Sequence, residues 1–200
     1  MTTPNNRPRM RGILSPPDGI DFRVVSADEA GRHMDELTAV YREVYAEPPY
    51  EWGAEHVALF SERFARQRQT AGFRLVEARS DDELIAFGFG MTLGPTIAWW
   101  QGWLTPAPYS VMREYVGRTF ALTELLVPKP WRRLHVAETI HARLMQSRTE
   151  KWETLTALPA ARPAQAAYTK WGWRKVAQKH IPLPGSPVFD VLVKELRTSA

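Results

Sequence analysis

A mixed α/β fold is predicted by three stretches of the sequence. Residues 119–127 read as an apolar strand that breaks at Pro128 and Pro130, and an amphipathic helix with Val136, Ile140, Leu144 and Met145 on one face follows. Residues 155–158 then make a short strand, and a strand–helix–strand unit of this spacing is a right-handed crossover between parallel strands. Residues 73–79 and 84–93 flank Ser80-Asp81-Asp82-Glu83 and read as an antiparallel hairpin. With further strands at 22–26, 173–178 and 188–196, the chain predicts a mixed central sheet of about six to seven strands flanked by helices.

In chain order, residues 1–20 carry Pro, Asn, Arg and Gly with little periodicity. They are expected to form a mobile tail, leaving 21–200 as one domain. Ser26 with Glu29 three residues on is a capping box, opening a helix with Met34, Leu37, Val40, Tyr41 and Val44 at three- and four-residue spacing. Pro48-Pro49 ends it, and a second helix is predicted at about 55–69 with Val57, Leu59, Phe60 and Phe64 inward. Tyr50 and Trp52 fall on the loop between the two. In the hairpin, Gly88 and Gly90 face one side, where something can approach the sheet closely or the strand can bend.

Residues 94–117 lose regularity and hold Trp99, Trp100 and Trp103. So aromatic a segment favours burial, as a lid over a substrate, a contact between two copies, or a satellite core. Pro163 opens a helix over 164–171, Gly172 ends it, and residues 182–187 form a loop before the last strand.

The totals exclude several classes. A hydrophobic fraction of 44% and a charged fraction of 24% suit a soluble globular chain. No window reaches the roughly 18 consecutive apolar residues of a membrane span, and the N-terminus lacks the apolar core of an export signal. With no cysteine, disulfides and thiol catalysis are excluded, and a cytoplasmic location is expected. The net charge of +4 and pI of 9.5 come from basic residues interspersed with acids rather than gathered in a patch, which argues against nucleic acid. His141 has no second ligand at metal spacing, so no metal is expected. The GxSxG, P-loop and GxGxxG signatures are absent.

Two features remain as chemistry. Strict alternation puts Phe120, Leu122, Glu124 and Leu126 on one face of the strand, so Glu124 is the one charge on an apolar surface. It is either a site residue, a salt-bridge partner, or turned to water by a bulge. After the strand, a helix start leaves unpaired N–H groups at an anion-binding turn, where Arg132 and Arg133 add full charges.

Residues 132–137, Arg132-Arg133-Leu134-His135-Val136-Ala137, resemble the R-x-x-G-x-G/A cofactor motif of the GNAT N-acetyltransferase superfamily. Arg132 and Ala137 match, and His135 stands at the first glycine. Downstream, Ala164, Tyr168, Gly172 and Trp173 match the family's N-x-x-A-x-x-x-Y-x-x-x-G-F pattern, with Ala161 in place of the asparagine. These motifs cover about the last eighty residues, whereas the first half agrees only in the order of its elements.

The resemblance implies a GNAT-like fold and transfer of an acetyl group from acetyl-CoA to a primary amine, with no covalent enzyme intermediate and no metal. It implies backbone pairing of Leu125, Leu126 and Val127 with the pantetheine arm, and a grip on the pyrophosphate by Arg132, Arg133, Leu134, His135, Val136 and Ala137. Glu124 is then the general base and Tyr168 the proton donor to the leaving sulfur. Tyr50, Trp52, Trp99 and Trp100 are candidates for the wall around a small-molecule or peptide amine. His135 and Ala161 support an alternative: a catalytically impaired domain that binds CoA or another anion as a sensor or regulator.

Overall fold

The computed structural model describes residues 19–105, 107–181 and 186–196. The expected tail, apart from Gly19 and Ile20, and most of the expected loop at 182–187 lie outside the described residues. The strands are β1 (Asp21–Val25), β2 (Arg74–Ser80), β3 (Glu83–Thr92), β4 (Thr119–Leu126), β5 (Trp152–Ala157), β6 (Arg174–His180) and β7 (Val188–Glu195). The helices are α1 (Ala27–Arg32), α2 (Met34–Tyr45), α3 (Ala54–Gln67), α4 (Tyr109–Met112), α5 (Val136–Met145) and α6 (Arg162–Lys170). One seven-stranded sheet runs β1-β2-β3-β4-β5-β7-β6. Only β4 and β5 pair in parallel, as the crossover through α5 requires.

Each face of the sheet has its own core. On one, α5 lays Val136, Ile140 and Leu144 against Val76, Ala78, Leu122 and Leu155. On the other, α2 and α3 bring Leu37, Val40, Tyr41, Phe60 and Phe64 onto Leu75, Phe87, Phe89 and Leu126. Gly88 sets how deeply α5 sits, because a Cβ there would lie 2.7 Å from Ile140 Cγ2. The helical periods read above account for both cores except at Leu59, expected inward on α3, which is 40% exposed because only Phe60 and Phe64 of that helix turn fully onto the sheet.

Two further details depart from the sequence reading. The first helix is two: Ser26 Oγ accepts from the Glu29 N–H at 3.2 Å, but the helix stops at His33, which leaves helical geometry (φ −89°, ψ 14°). His33 Nδ1 lies 2.6 Å from Glu77 Oε1 on β2, which ties the break to the sheet.

The second departure is in β4. Its register against β3 moves from Glu124 opposite Phe89 to Leu122 opposite Gly90, so Thr123 is an extra residue. This bulge ends the strict alternation. Leu122 therefore faces the α5 core, while Leu126 faces the α2–α3 core.

Within the irregular segment, residues 102–104 run along the outer edge at β6. Leu104 N–H donates to Gln178 O (2.9 Å), His180 N–H donates to Gly102 O (3.1 Å), and Trp103 bridges to Lys179. Trp100 and Trp103 stack with centroids 6.0 Å apart and pack against Ala177 and Val191. Lys179 lies against the Trp99 and Trp103 rings and donates to Trp99 O, and burial pushes its ammonium down to about 8. None of the described helices is long and apolar enough to cross a membrane.

Candidate active site

β4 and β5 stay together only from Thr119–Ala121 against Trp152–Thr154. Beyond that point a cleft of about 840 Å³ opens between them, walled by residues 122–127 of one side and 155–157 of the other. Its size lies within the roughly 300–1,000 Å³ of small-ligand sites. The side of Leu125 and Leu126 away from β3 has no strand partner, so backbone groups face the opening.

The bulge at Thr123 aims Glu124 towards α2 and α3. The carboxylate is 4% exposed, and an isolated charge so buried costs on the order of several kcal/mol. Two partners answer it: Arg63 Nη2 donates to Oε1 at 2.5 Å and the Tyr45 hydroxyl donates to Oε2 at 2.6 Å. Each oxygen keeps one further acceptor position for a group in the cleft. Glu124 is thus both a salt-bridge partner and a cleft residue, and the bulge does not turn it to water.

Tyrosines surround this carboxylate. Burial, with Glu124's charge adding, pushes the Tyr45 phenol well above its usual range. Tyr50 is pushed up to about 12 by burial and Glu124, with Arg132 opposing. From the other wall, Tyr168 of α6 lines the same cleft, its ring edge-on to Trp171 (5.9 Å) and Trp173 (5.8 Å). Burial raises its phenol well above the ordinary value, and Tyr50, Glu124 and Glu153 add to the effect. Tyr168 therefore stays protonated throughout the neutral range.

The predicted anion turn closes one end. Residues Lys129–Trp131 form a 3₁₀ turn, and Arg133 (φ 65°) and His135 (φ 58°) both adopt the left-handed conformation. A glycine takes that conformation freely, whereas histidine holds it at a cost of roughly 1–2 kcal/mol. His135 caps α5 without a side-chain bond to its backbone, so the first-turn N–H groups stay open to the cleft. Its imidazole instead meets Glu138 Oε2 at 2.9 Å. Arg132 donates through Nε to Val127 O (2.8 Å) and through Nη1 to Glu47 Oε2 (2.9 Å). Lys129, Arg133 and Lys170 add cationic side chains to the lining.

Tyr50 lines the cleft, while Trp52 stacks behind it on Tyr45 at 4.4 Å. Both reach the cluster of Leu158, Ala161 and Phe189. Trp99 and Trp100 do not join them: neither lines the cleft, and Trp100 is spent on the satellite core at β6. Ala161, at the family's asparagine place, is buried at the start of α6 and offers no side-chain hydrogen bond. Three lining or supporting residues were missed in the sequence. Tyr45 follows Tyr41 by one helical turn and could have been found from that spacing. Arg63 and Glu47 carry no local signal, because each is defined by a partner distant in the chain.

Comparison with known proteins bears on this arrangement. The family described as Acetyltransferase (GNAT) domain matches residues 11–125, and the chain belongs to that family. The match covers the half in which the sequence offered only the order of elements. No curated protein sequence matches the chain. Among solved structures, PaiA N-acetyltransferase from Thermoplasma acidophilum in complex with coenzyme A is 14% identical, with a TM-score of 0.57 over 88% of this chain and 99% of that one. Arabidopsis thaliana NAA60 in complex with a bisubstrate analogue is 15% identical, with a TM-score of 0.61 over 89% and 99%. The ribosomal-protein-S18-alanine N-acetyltransferase from Escherichia coli is 12% identical, with a TM-score of 0.60 over 90% and 96%. At such identities the likeness is one of fold.

Proposed function

We propose that the protein transfers an acetyl group from acetyl-CoA to a primary amine, small molecule or peptide, by direct attack. The observation that carries this reading is that Glu124 and Tyr168 line one cleft from opposite walls, with an uncapped helix start at its end. The open strand side at Leu125 and Leu126 suits a pantetheine arm, and the turn at 132–137 suits a pyrophosphate. When bound, acetyl-CoA supplies the thioester acetyl group.

The chain's own groups supply the rest. An ammonium must lose a proton before its nitrogen can attack, and Glu124 receives that proton, directly or through a water. Arg63 and Tyr45 hold the carboxylate in place. Tyr168 keeps a proton available for the departing sulfur, and Tyr50, backed by Trp52, forms the acceptor wall.

Cofactor titration with a thermal readout tests the reading. Ligand bound only by the folded state at a hundredfold excess over Kd adds about 2.7 kcal/mol, which raises Tm by roughly 5–10 °C for a chain of this size. CoA and acetyl-CoA should do so, and pantetheine, ATP and NAD much less. Acetyl-CoA with a panel of primary amines should then release free thiol. No shift up to millimolar CoA would end the proposal.

A further inference from the structure

Arg132 is the residue that best matches the cofactor motif, yet its guanidinium is already taken. Nη1 binds Glu47 Oε2 at 2.9 Å, and Lys129 Nζ lies 3.6 Å from the same oxygen. Glu47 is only 18% exposed and belongs to the cleft lining, as do Lys129 and Arg132. A carboxylate therefore sits among the cations at the cofactor turn.

The position of Glu47 in the chain gives this contact reach. It follows α2 directly and leads through Pro48-Pro49 into Tyr50, whose ring packs on the cluster of Leu158, Ala161 and Phe189 across the cleft. Residues 47–52 form a turn at the cleft, closed by Tyr50 N–H to Glu47 O (3.0 Å) and Trp52 N–H to Tyr45 O (2.8 Å), with Glu47 held by Arg132 and Lys129 and Tyr50 packed on the opposite cluster.

We propose that Glu47 is an internal stand-in for the cofactor's anion, holding Arg132 until a phosphate group replaces it. This rests on the acetyl-CoA reading above. A phosphate at the turn offers Arg132 and Lys129 more charge and more acceptor oxygens than one carboxylate. Once displaced, Glu47 no longer links the turn that carries Tyr50 to Arg132 and Lys129. Glu47 therefore competes with the cofactor's phosphate for Arg132: it moderates the affinity for CoA and leaves that for an uncharged pantetheine thioester, which does not reach Arg132, unaffected.

Calorimetric titration of CoA into the wild type, Glu47→Gln, Arg132→Gln and the double variant tests this. Removing the competing carboxylate from a partly exposed pair should tighten CoA by roughly three- to tenfold in Glu47→Gln, in line with the modest strength of such pairs. In the Arg132→Gln background the same change should gain less than about twofold, since the contested guanidinium is gone. Pantetheine affinity should be equal in the wild type and Glu47→Gln. Glu47→Ala, with Tm measured without ligand, separates loss of charge from loss of fold and should tighten CoA similarly.

Unchanged or weaker CoA binding in both Glu47 variants, with Tm maintained, overturns the inference. So does an equal gain in both arginine backgrounds, which would mean general repulsion rather than competition for Arg132. Absence of CoA binding by the wild type would overturn the acetyl-CoA reading itself.

Discussion

Arg63 on α3 donates to Glu124 on β4 across 2.5 Å, joining residues 61 positions apart. The pair is unequal, because the carboxylate is 4% exposed and the arginine 38%. Removing Arg63 strands a buried charge, whereas neutralising Glu124 leaves an arginine that reaches water. Arg63→Met should therefore destabilise the fold by about 2–4 kcal/mol and Glu124→Gln by only about 1 kcal/mol. Urea denaturation measures both, and equal losses would contradict the asymmetry.

For catalysis the order reverses. Glu124→Gln keeps the shape and removes basicity; its amide oxygen can still accept from Arg63, and its NH2 can donate to the Tyr45 hydroxyl in place of accepting from it. Turnover should fall about a hundredfold or more, with CoA affinity within about twofold of wild type. Turnover unchanged at saturating amine, with chemistry shown to limit the rate, would remove Glu124 as base.

Tyr168→Phe removes one hydroxyl from the cleft and leaves the aromatic contacts with Trp171 and Trp173. Transfer should slow by about ten- to a hundredfold with Tm nearly unchanged. In the wild type, no alkaline limb owed to Tyr168 should appear below about pH 10, because burial raises its phenol above the ordinary value. A variant that melts early but turns over normally would make Tyr168 a packing residue.

His135→Gly relieves a left-handed residue at the start of α5 (φ 58°). Stability should change by less than about 1 kcal/mol, since glycine's added freedom in the unfolded chain offsets the strain. CoA should bind equally or more tightly, read by the same calorimetric titration. A loss beyond about tenfold would show that the imidazole itself contacts the phosphate.

Lys179 makes stability depend on pH. Burial lowers its folded value to about 8, below the ordinary lysine value near 10.4, so between these the unfolded chain binds more protons. Stability should therefore rise as pH increases from about 8 towards 9.5, a window that ends below ordinary tyrosine titration. Lys179→Met should flatten this rise and stabilise the protein at pH 7, as denaturant titrations at pH 7, 8 and 9.5 would show. A profile already flat in the wild type would mean that the ammonium is not penalised by its tryptophan surroundings.

The sheet and its crossover were legible because period alone carries them. Val136, Ile140 and Leu144 repeat at helical spacing after two prolines, and the hairpin strands meet at an acidic turn. Glu124 was legible as a charge among apolar residues, but its direction was not. The bulge at Thr123 is a property of two strands in register, and β3 does not announce where that register slips. Trp99 and Trp100 show the complementary limit. Their composition predicts burial, but only the tertiary structure says against what, and the partners are Lys179, Ala177 and Val191. The cofactor motif located Arg132, yet not Glu47, which is 85 residues away and holds it.

The run of 102–104 along β6 also covers backbone groups with which another strand could pair. A sheet's outermost strands present unpaired N–H and C=O groups that recruit strands from other molecules. At the β6 rim, Gln178 O and His180 N–H are already satisfied by Leu104 and Gly102, so an incoming strand would first have to peel the tryptophan segment away. The opposite rim is β1, only five residues long, where Asp21 and Arg23 form an exposed ion pair at 3.4 Å. Charge and brevity guard that side, and aromatic cover guards the other. Loss of Trp103 would thus show itself first as self-association at high concentration, before any change at the cleft.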